Sequence, residues 1–364
     1  MYKTINKSFA RILRTPQYLI LFVSNNCWMK CEHCWFNEEW KESNLNEQSL
    51  TFEEFEKIAE SIKRINFLSI TGGEAFSRDD IVELANMFAE KTKLNRYQIP
   101  TSGYLTDDII SKTEKILKNN PGIPFRVDVS LDGDEETHNF IRNRKKSFAN
   151  AVETIKRLNK LKHQYSYFDV GVISTISNQN QNIVDRLAET IEDIKHDGEW
   201  MVNLVRGKTR APKSIDVDLN NYIKAHKHID SRIENGTYKG HSGHILAPWL
   251  TAKNIVRRNK IVNIVEGKCR GGACSAGSLG GVIYNDGSVY PCEMLEHSFG
   301  NIRDFNYDLP KLWNSPQGDW IRNNIEDTKC ICTQECFLSL NLLMQPKHLA
   351  EIIKERIKLL NLNS

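Results

Sequence analysis

The chain has 364 residues, including nine cysteines, and a formal net charge of +3 at pH 7. This length suffices for one large domain or two smaller ones, and so small a charge gives no indication of nucleic-acid binding. The apolar run near the N-terminus, residues 18–23, is too short for a membrane span or a secretory signal. Cysteines without such a signal are typical of a reducing compartment, where thiols bind metals or react. We therefore expect a cytoplasmic protein that binds neither membrane nor nucleic acid.

Short β-rich runs alternate with longer amphipathic stretches between residues 18 and 206, as in a parallel sheet with crossover helices. The predicted strands are 18–23, 67–71, 96–100, 125–131, 168–175 and 200–205. The predicted helices between them are 51–64, 79–92, 106–118, 147–162 and 180–196. Thr106 is the expected N-cap of the third helix. We predict an α/β fold, a partial (β/α)6 TIM-like barrel whose ligands bind at the carboxyl ends of the strands.

The rest of the chain is less regular. A helix is predicted at 216–235, a Gly/His-rich turn at 238–244, a cysteine-rich segment at 269–336 and a final amphipathic helix at 347–361. The predicted divisions are an N-terminal extension (1–17), the barrel (18–206), a linker or substrate-side region (207–268), a C-terminal cysteine-rich domain (269–340) and a terminal helix (341–364).

Three cysteines follow the first predicted strand in the run CWMKCEHC, at positions Cys27, Cys31 and Cys34. Three thiolates do not complete a tetrahedral zinc site, but they suffice for a cubic iron-sulfur cluster that leaves one iron open to a ligand. The alternative is a zinc knuckle completed by His33 or by a distant residue.

This C-x3-C-x2-C spacing after an apolar strand resembles the signature of the radical S-adenosylmethionine (radical SAM) superfamily. The resemblance implies that Cys27, Cys31 and Cys34 hold a 4Fe-4S cluster whose fourth iron binds S-adenosylmethionine. It further implies that one electron, from a flavodoxin- or ferredoxin-type donor, cleaves S-adenosylmethionine to a 5′-deoxyadenosyl radical. That radical would abstract hydrogen from an unactivated C–H bond of the substrate.

A glycine motif, Thr71-Gly72-Gly73-Glu74, follows the second predicted strand. Glycines lack the Cβ atom that would keep a ligand away from the backbone. The run resembles the GGE motif of the family, which implies that Gly72, Gly73 and Glu74 orient the methionyl amine of S-adenosylmethionine. The alternative is an ordinary strand-to-helix turn.

Polar residues also end the third and fourth predicted strands. By the same resemblance, Ser102, Ser130 and Asp132 contact the ribose hydroxyls and the methionyl carboxylate. Each is alternatively a turn residue or a helix cap. We expect His138 and Arg142, a little further along, to have a structural or substrate-side role.

Six cysteines lie beyond the barrel, and two of them, Cys274 and Cys292, flank a predicted hairpin with an Asp-Gly turn. Together with the later run CICTQEC, this segment resembles the SPASM/Twitch extension that carries auxiliary 4Fe-4S clusters in radical SAM enzymes. The resemblance implies at least one auxiliary cluster, although the chain lacks the full seven-cysteine pattern. We expect one cluster, held by four of Cys274, Cys292, Cys330, Cys332 and Cys336. A structural zinc site is the alternative.

A basic turn, Arg206-Gly207-Lys208-Thr209-Arg210, follows the sixth predicted strand at the ligand face. Its cations suit a phosphate or carboxylate, and Arg206 and Arg210 are the candidate substrate contacts. The alternative is a solvated loop. Two other basic runs, 142–146 and 257–260, line an anionic entrance or are solvated helix ends.

The resemblance leaves the substrate open. We favour radical modification of a ribosomal peptide, by crosslinking, epimerisation or oxidation. The position of the cysteine run leaves no room before it for the leader-binding domain of many peptide modifiers, which weakens this hypothesis. The alternative is the same chemistry on an anionic small molecule, such as a nucleotide-linked sugar or a nucleoside. A third hypothesis, from another class, is a zinc-stabilised scaffold without catalysis that binds an anionic partner.

Overall fold

The computed structural model describes residues 12–44, 48–196, 198–238, 240, 246–269, 273–328 and 330–362. Its strands are β1 (Tyr18–Ser24), β2 (Phe67–Gly72), β3 (Tyr97–Thr101), β4 (Phe125–Ser130), β5 (Phe168–Ile176), β6 (Glu199–Leu204), β7 (Gly280–Ile283), β8 (Ser288–Tyr290) and β9 (Gly300–Asn301). They form one sheet in the order β6-β5-β4-β3-β2-β1-β7-β8-β9.

The helices surround this sheet. They are α1 (Glu38–Asn44), α2 (Phe52–Ser61), α3 (Ile81–Lys91), α4 (Thr106–Asn119), α5 (Glu135–Arg142), α6 (Ser147–Lys162), α7 (Val184–Asp193), α8 (Leu219–Glu234), α9 (Ala247–Val265), α10 (Leu309–Trp313), α11 (Pro316–Asp327), α12 (Glu335–Leu343) and α13 (Pro346–Leu362). Short 3-10 turns occupy Ala75–Ser77, Gln181–Ile183, Pro212–Ile215 and Ile302–Phe305. Within the described ranges, no helix has the length and apolar character needed to cross a membrane.

Strands β1 to β6 are all parallel, and helices connect each to the next. The predicted partial barrel is confirmed, and the predicted bounds of these six strands agree with the structure to within one residue. The agreement has a physical cause: β1 is buried on both faces, so its sequence is a nearly continuous apolar run. The carboxyl ends of all six strands lie at one edge, where the first cysteine run begins.

The start of helix α4 differs from the prediction. The N-cap residue is Leu105, and Thr106 is the first residue of the helix, so the prediction of Thr106 as N-cap was wrong. The Thr106 hydroxyl instead donates to the backbone oxygen of Asn150, at 3.2 Å, and accepts from Thr154, at 2.8 Å. Its hydrogen-bonding capacity is therefore used between α4 and α6.

Residues 206–268 are more regular than the sequence suggested, because α9 fills much of this region. Its buried residues include Ala252 and Ile255 on one side and Ile261 further along. It packs against α8, α12 and α13, so apolar residues are spread around it and the amphipathic pattern is weak. The turn predicted at 238–244 lies outside the described residues, except for 238 and 240.

The hairpin predicted between Cys274 and Cys292 is present, formed by the antiparallel strands β7 and β8. It does not stand apart from the barrel, because β7 pairs in parallel with β1, with Tyr18 opposite Gly280. One continuous core contains residues of both regions, Trp313 and Phe337 among them. The cysteine-rich segment therefore extends the barrel sheet beyond β1.

An ion pair also joins the barrel to the cysteine-rich segment. Thr51 and Glu54 form a capping box at the start of α2. The same Glu54 carboxylate accepts hydrogen bonds from Arg303 Nε at 2.6 Å, Arg303 Nη2 at 3.0 Å and the Tyr307 hydroxyl at 2.8 Å. The hydrogen bonds from Arg303 are the main reason that the pKa of Glu54 is lowered to about 2.

Candidate active site

A cavity of about 510 Å³ lies at the carboxyl ends of the barrel strands. This volume is within the range of roughly 300–1,000 Å³ usual for small-molecule sites. The residues predicted from the sequence that line it are Cys27, Cys31, Cys34, Gly72, Gly73, Ser102, Ser130, Arg142, Arg206 and Arg210. Segments far apart in the chain thus meet around one space.

The three cysteines of the first run form part of one wall. Met29 N–H donates to Cys27 Sγ at 3.4 Å, and Arg142 Nη1 donates to Cys31 Sγ at 3.7 Å. Desolvation raises the pKa of the Cys34 thiol to about 12 and that of the Cys27 thiol to about 11, although Cys27 is the exposed member of the three. Such thiols become good thiolate ligands when a metal centre supplies the compensating positive charge.

The glycine motif is pressed against the backbone that leads into the cysteines. Gly73 N–H donates to the Ser24 oxygen and Glu74 N–H to the Asn26 oxygen, both at 2.8 Å. A Cβ atom on Gly73 would lie 2.4 Å from the Asn26 oxygen. Gly72 has φ +147°, and a Cβ there would lie 2.4 Å from the Ser24 oxygen. Only glycine therefore fits this contact, and the motif fixes the position of the cysteine loop.

Glu74 is buried behind the cavity wall and does not line the cavity. Its carboxylate accepts from Ser102 N–H at 2.9 Å, Ser102 Oγ at 2.6 Å and Thr101 Oγ1 at 2.9 Å. Burial raises the pKa of this carboxyl group, and the hydrogen bonds from Ser102 and Thr101 oppose the rise. Glu74 thus holds the end of β3 beside the glycine motif and orients Ser102, which does line the cavity.

Asp132 is also fully buried and lies outside the cavity lining. Its carboxylate accepts from Arg142 Nε at 2.8 Å and from Thr175 N–H at 2.9 Å. Burial alone would raise the pKa of Asp132, but the Arg142 guanidinium holds it below its usual value. Asp132 therefore orients Arg142, whose other end reaches Cys31.

His138 is buried beside this pair. Its Nδ1 accepts from Asp132 N–H at 3.1 Å, and its Nε2 lies 3.0 Å from Ser147 Oγ. Burial lowers the pKa of His138 to about 3, so the ring is neutral at physiological pH. These contacts give His138 the structural role that we considered for it.

Carboxylates neutralise the outer cations of the basic turn. Arg206 forms an ion pair with Glu335, and Arg210 forms one with Glu38. Arg210 also binds the cysteine loop, with its backbone N–H donating to the Cys34 oxygen at 3.0 Å. Arg206 and Arg210 both line the cavity. Because each is paired with a carboxylate, neither offers an unpaired positive charge to a ligand there.

Several cavity residues were not predicted from the sequence. They are Asn25, Asn26, Met29, Trp35, Phe36, Glu38, Lys41, Pro100, Thr101, Thr175, Asn203, Leu204 and Val205. His33, considered only as a zinc ligand, and Thr71, named only as part of the glycine motif, also line the cavity. Trp35 and Phe36 directly follow the third cysteine, and their rings pack 5.7 Å apart. Asn203 lies near the carboxyl end of β6. That position near the end of a predicted strand is the sequence feature that could have identified it as a cavity residue. Thr175 has the same kind of position near the end of β5.

Four cysteines of the second group influence one another's ionisation. Burial raises the pKa of Cys274 to about 12, and the neighbouring thiolates of Cys332 and Cys330 raise it too. The pKa of Cys292 is raised by burial and then by Cys274 and Cys332. Four thiolates are the set that a 4Fe-4S cluster takes.

Cys336 has different neighbours. Burial raises the pKa of its thiol, followed by the negative charge of Glu293, while a hydrogen bond with Tyr18 lowers it. Tyr18 begins β1, so Cys336 lies toward the barrel. Among the described residues, no three or more Cys, His, Asp or Glu side chains are grouped around a point where a single metal ion would sit.

Two family profiles match the chain. The Radical SAM superfamily profile matches residues 21–197, and the SPASM profile, an iron-sulfur cluster-binding domain, matches residues 274–337. The chain belongs to the radical SAM superfamily, in the group whose members carry a SPASM domain. These two domains imply S-adenosylmethionine, a 4Fe-4S cluster that binds it and auxiliary iron-sulfur binding as the cofactors. These matches favour the enzyme hypotheses over that of a non-catalytic zinc scaffold.

Curated relatives are similar over most of the chain. The antilisterial bacteriocin subtilosin biosynthesis protein AlbA of Bacillus subtilis (strain 168) is 24% identical over 322 residues, 86% of this chain and 63% of AlbA. The cysteine-type anaerobic sulfatase-maturating enzyme of Clostridium novyi (strain NT) is 23% identical, over 83% of this chain and 80% of that enzyme. The sporulation killing factor maturation protein SkfB of B. subtilis is 22% identical, over 79% of this chain and 62% of SkfB. The chain thus spans less than two thirds of AlbA and of SkfB.

Solved structures share the fold. Native anSMEcpe with bound AdoMet superposes with a TM-score of 0.61 at 17% identity, covering 95% of this chain and 99% of that one. Streptococcus suis SuiB bound to S-adenosylmethionine gives 0.61 at 16% identity, covering 92% of this chain and 75% of SuiB. These similarities confirm the α/β partial barrel with a C-terminal SPASM domain.

Proposed function

We propose that this enzyme modifies a ribosomally made peptide at an unactivated C–H bond. The observation that carries the proposal is the similarity to AlbA and SkfB, which covers 86% and 79% of this chain. AlbA is named for the biosynthesis of a bacteriocin, and SkfB for the maturation of a sporulation killing factor. The pairing of Arg206 with Glu335 and of Arg210 with Glu38 adds support, because it reduces the charge available to an anionic small molecule.

We assign the cluster that binds S-adenosylmethionine to Cys27, Cys31 and Cys34. Their thiols line one cavity, are largely removed from solvent at Cys31 and Cys34, and leave one iron of a 4Fe-4S cluster without a protein ligand. The cluster and S-adenosylmethionine supply reductive sulfonium cleavage and removal of hydrogen from the substrate. Arg142, held by Asp132, keeps a positive charge beside Cys31 that favours its thiolate form.

We assign S-adenosylmethionine to the part of the cavity bounded by the glycine motif and the ends of β3 and β4. Gly72 and Gly73 leave backbone exposed there, and Ser102 and Ser130 offer hydroxyl groups. In this assignment Glu74 and Asp132 do not contact S-adenosylmethionine. Glu74 orients Ser102 and Asp132 orients Arg142, and both of these neighbours line the cavity. A peptide substrate would insert one side chain or a short stretch, because the cavity has the size of a small-molecule site.

For the auxiliary cluster we propose Cys274, Cys292, Cys330 and Cys332 as the ligands. The supporting arrangement is that Cys274 and Cys292 flank the hairpin of β7 and β8, and that Cys330 and Cys332 lie close enough to Cys274 to raise the pKa of its thiol. Cys336 then remains outside this set, next to Tyr18.

We also propose that the barrel ends at residue 206 and that the cysteine-rich domain begins at residue 269.

The cellular setting is part of the same proposal. We place the protein in a reducing, cytoplasmic compartment, because seven of its nine cysteines are assigned to clusters as thiolates. The one-electron donor would be a flavodoxin- or ferredoxin-type protein.

The test is an anaerobic reaction of the reconstituted enzyme with dithionite, S-adenosylmethionine and a candidate precursor peptide, chosen from short open reading frames sought next to its gene. The peptide carries deuterium at candidate carbon atoms. We expect deuterium in the 5′-deoxyadenosine product and a matching change in peptide mass. The triple variant with alanine at Cys27, Cys31 and Cys34 is the control and should show neither. Transfer from a nucleotide-linked sugar or nucleoside, with none from the peptide, would contradict the proposal.

A further inference from the structure

We propose that a surface patch behind the cysteine loop docks the acidic carrier protein that delivers the electron. The patch consists of residues 143–146, called here the basic loop, and the exposed ring of Phe140. The inference rests on the proposed function in one respect: it requires a reducible cluster at Cys27, Cys31 and Cys34. The carrier loses one electron and the cluster gains it, so no other reactant is needed.

The position of the patch follows from the cysteine loop itself. Cys31 and His33 line the cavity, whereas Glu32 between them lines a separate groove of about 570 Å³ on the outside. Glu32 N–H donates to the Ile141 oxygen at 2.9 Å, which ties the loop to the last turn of α5. Neighbouring residues of the cysteine loop therefore line the cavity and the groove. S-adenosylmethionine and the substrate must enter the cavity. A carrier bound at the groove would approach the cluster from a different side.

The groove is predominantly basic. Arg144, Lys145 and Lys146 line it and are exposed, and two carboxylates, Glu32 and Glu135, line it as well. Across the described ranges, none of the three cations forms an ion pair with a carboxylate. Exposed cations of this kind attract an acidic protein over distance and accelerate its association.

The basic loop has a defined shape. Asn143 and Lys146 both have left-handed backbone conformations, with φ of 50° and 62°. Such conformations are uncommon for residues other than glycine and persist where the surrounding structure fixes them. The Arg144 guanidinium lies over the Tyr104 ring, 4.9 Å from its centre. The cations are thus presented on a fixed turn between α5 and α6.

An apolar contact is available in the middle of these charges. The Phe140 side chain is 60% exposed and lines the same groove. Aromatic anchors surrounded by polar residues are typical of protein interfaces. On the other side of Glu32, Ala211 N–H and Ser214 Oγ donate to its backbone oxygen at 2.8 and 3.2 Å. That contact brings the turn Pro212–Ile215, with exposed Lys213 and Ile215, next to the loop.

The extent of the patch suits a transient partner. Electron-transfer complexes are weak and bury less than about 1,200 Å² in total. A short cationic loop with one exposed aromatic ring is enough for such a complex, whereas a permanent partner would need a larger apolar surface. We therefore infer an acidic flavodoxin-type carrier that binds and leaves in each turnover.

The first test is a binding measurement on the full, reconstituted chain with an acidic bacterial flavodoxin, by anaerobic calorimetry. The variant replaces Arg144, Lys145 and Lys146 by glutamate. We expect its Kd to be weaker by about tenfold or more, with the difference shrinking as salt is added. Phe140→Ser should also weaken binding, with little dependence on salt. An unchanged Kd for the triple variant, or no measurable binding by the wild-type protein, would overturn the inference.

A matched control removes the same positive charge elsewhere. It replaces three exposed lysines of helix α13 by glutamate: Lys347, Lys354 and Lys358. We expect this control to bind flavodoxin more tightly than the basic-loop variant and close to wild-type. Equal weakening in both would show that net charge alone acts, and would refute a specific docking patch.

The second test separates docking from catalysis. Dithionite reduces the cluster without a protein carrier, so the basic-loop variant should form 5′-deoxyadenosine at the wild-type rate with dithionite and more slowly with reduced flavodoxin. A loss of peptide turnover with dithionite, at normal flavodoxin affinity, would assign the patch to the substrate peptide instead. If the wild-type enzyme fails with dithionite, the proposed function fails, while the Kd comparison still decides the docking patch.

Discussion

The substitution Gly73→Ala tests whether the glycine motif fixes the cysteine loop. The Gly73 backbone admits alanine, but the new Cβ would lie 2.4 Å from the Asn26 oxygen and 2.8 Å from the Asn26 carbonyl carbon. Ordinary contact begins at 3.4 Å, so the backbone next to Cys27 must retreat by about 1 Å. Overpacking of this kind costs about 1–3 kcal/mol of folding stability. A displacement of about 1 Å at a catalytic centre lowers rates by about 100-fold.

The assay is dithionite-driven 5′-deoxyadenosine formation by anaerobically reconstituted protein, with iron content and thermal unfolding measured on the same samples. We expect a rate about 100-fold lower with iron content near the wild-type value. Gly122→Ala is the control, because Gly122 has φ +82° and a Cβ added there would meet no atom within 4 Å. Its cost is backbone strain alone, which should lower stability and leave the rate unchanged. A Gly73→Ala enzyme with the wild-type rate would refute this role for the motif.

Two further predictions concern the metal ligands and the link between barrel and SPASM domain. Replacement of Cys27, Cys31 and Cys34 by alanine should abolish 5′-deoxyadenosine formation yet leave about four irons per chain at the second cysteine group; iron near zero would contradict that assignment. Glu54→Gln should destabilise the chain by about 1–2 kcal/mol at pH 7 in urea unfolding, because Arg303 stabilises the carboxylate. Since the folded pKa of Glu54 is about 2, below its ordinary 4.5, this stability is complete above about pH 5 and is lost as pH falls toward 2. A deficit that stays constant down to pH 3 would contradict the assigned ion pair.

Much of the barrel was predictable because its signals are local. The apolar composition of residues 18–23 predicts a buried strand. The periodicity of residues 147–162 predicts a helix, and α6 has the same bounds in the structure. Helix α9 was missed because neighbours on several sides remove the amphipathic contrast on which such a prediction depends. The N-cap of α4 was misplaced because the Thr106 hydroxyl binds a neighbouring helix instead of its own.

The candidate site was predictable only in part. Cys27 and Gly73 belong to short motifs whose spacing carries the information, and the structure brings both to one cavity. Glu74 and Asp132 were also expected there, yet each is buried one layer behind, bound to Ser102 and Arg142 respectively. Nothing in a local motif distinguishes a side chain that faces a ligand from one that orients its neighbour.

The amino-acid sequence by itself determined the order of the six barrel strands and the main helices between them, the radical SAM cysteine loop and the cysteine-rich segment, since periodicity and spacing act over a few residues. The tertiary structure decided which charges are available. Glu335, 129 residues away in the chain, neutralises Arg206, and Glu38, 172 residues away, neutralises Arg210. It also placed β7 beside β1. Such pairings depend on how distant segments pack, because a cation in a loop looks the same in sequence whether or not a carboxylate will meet it.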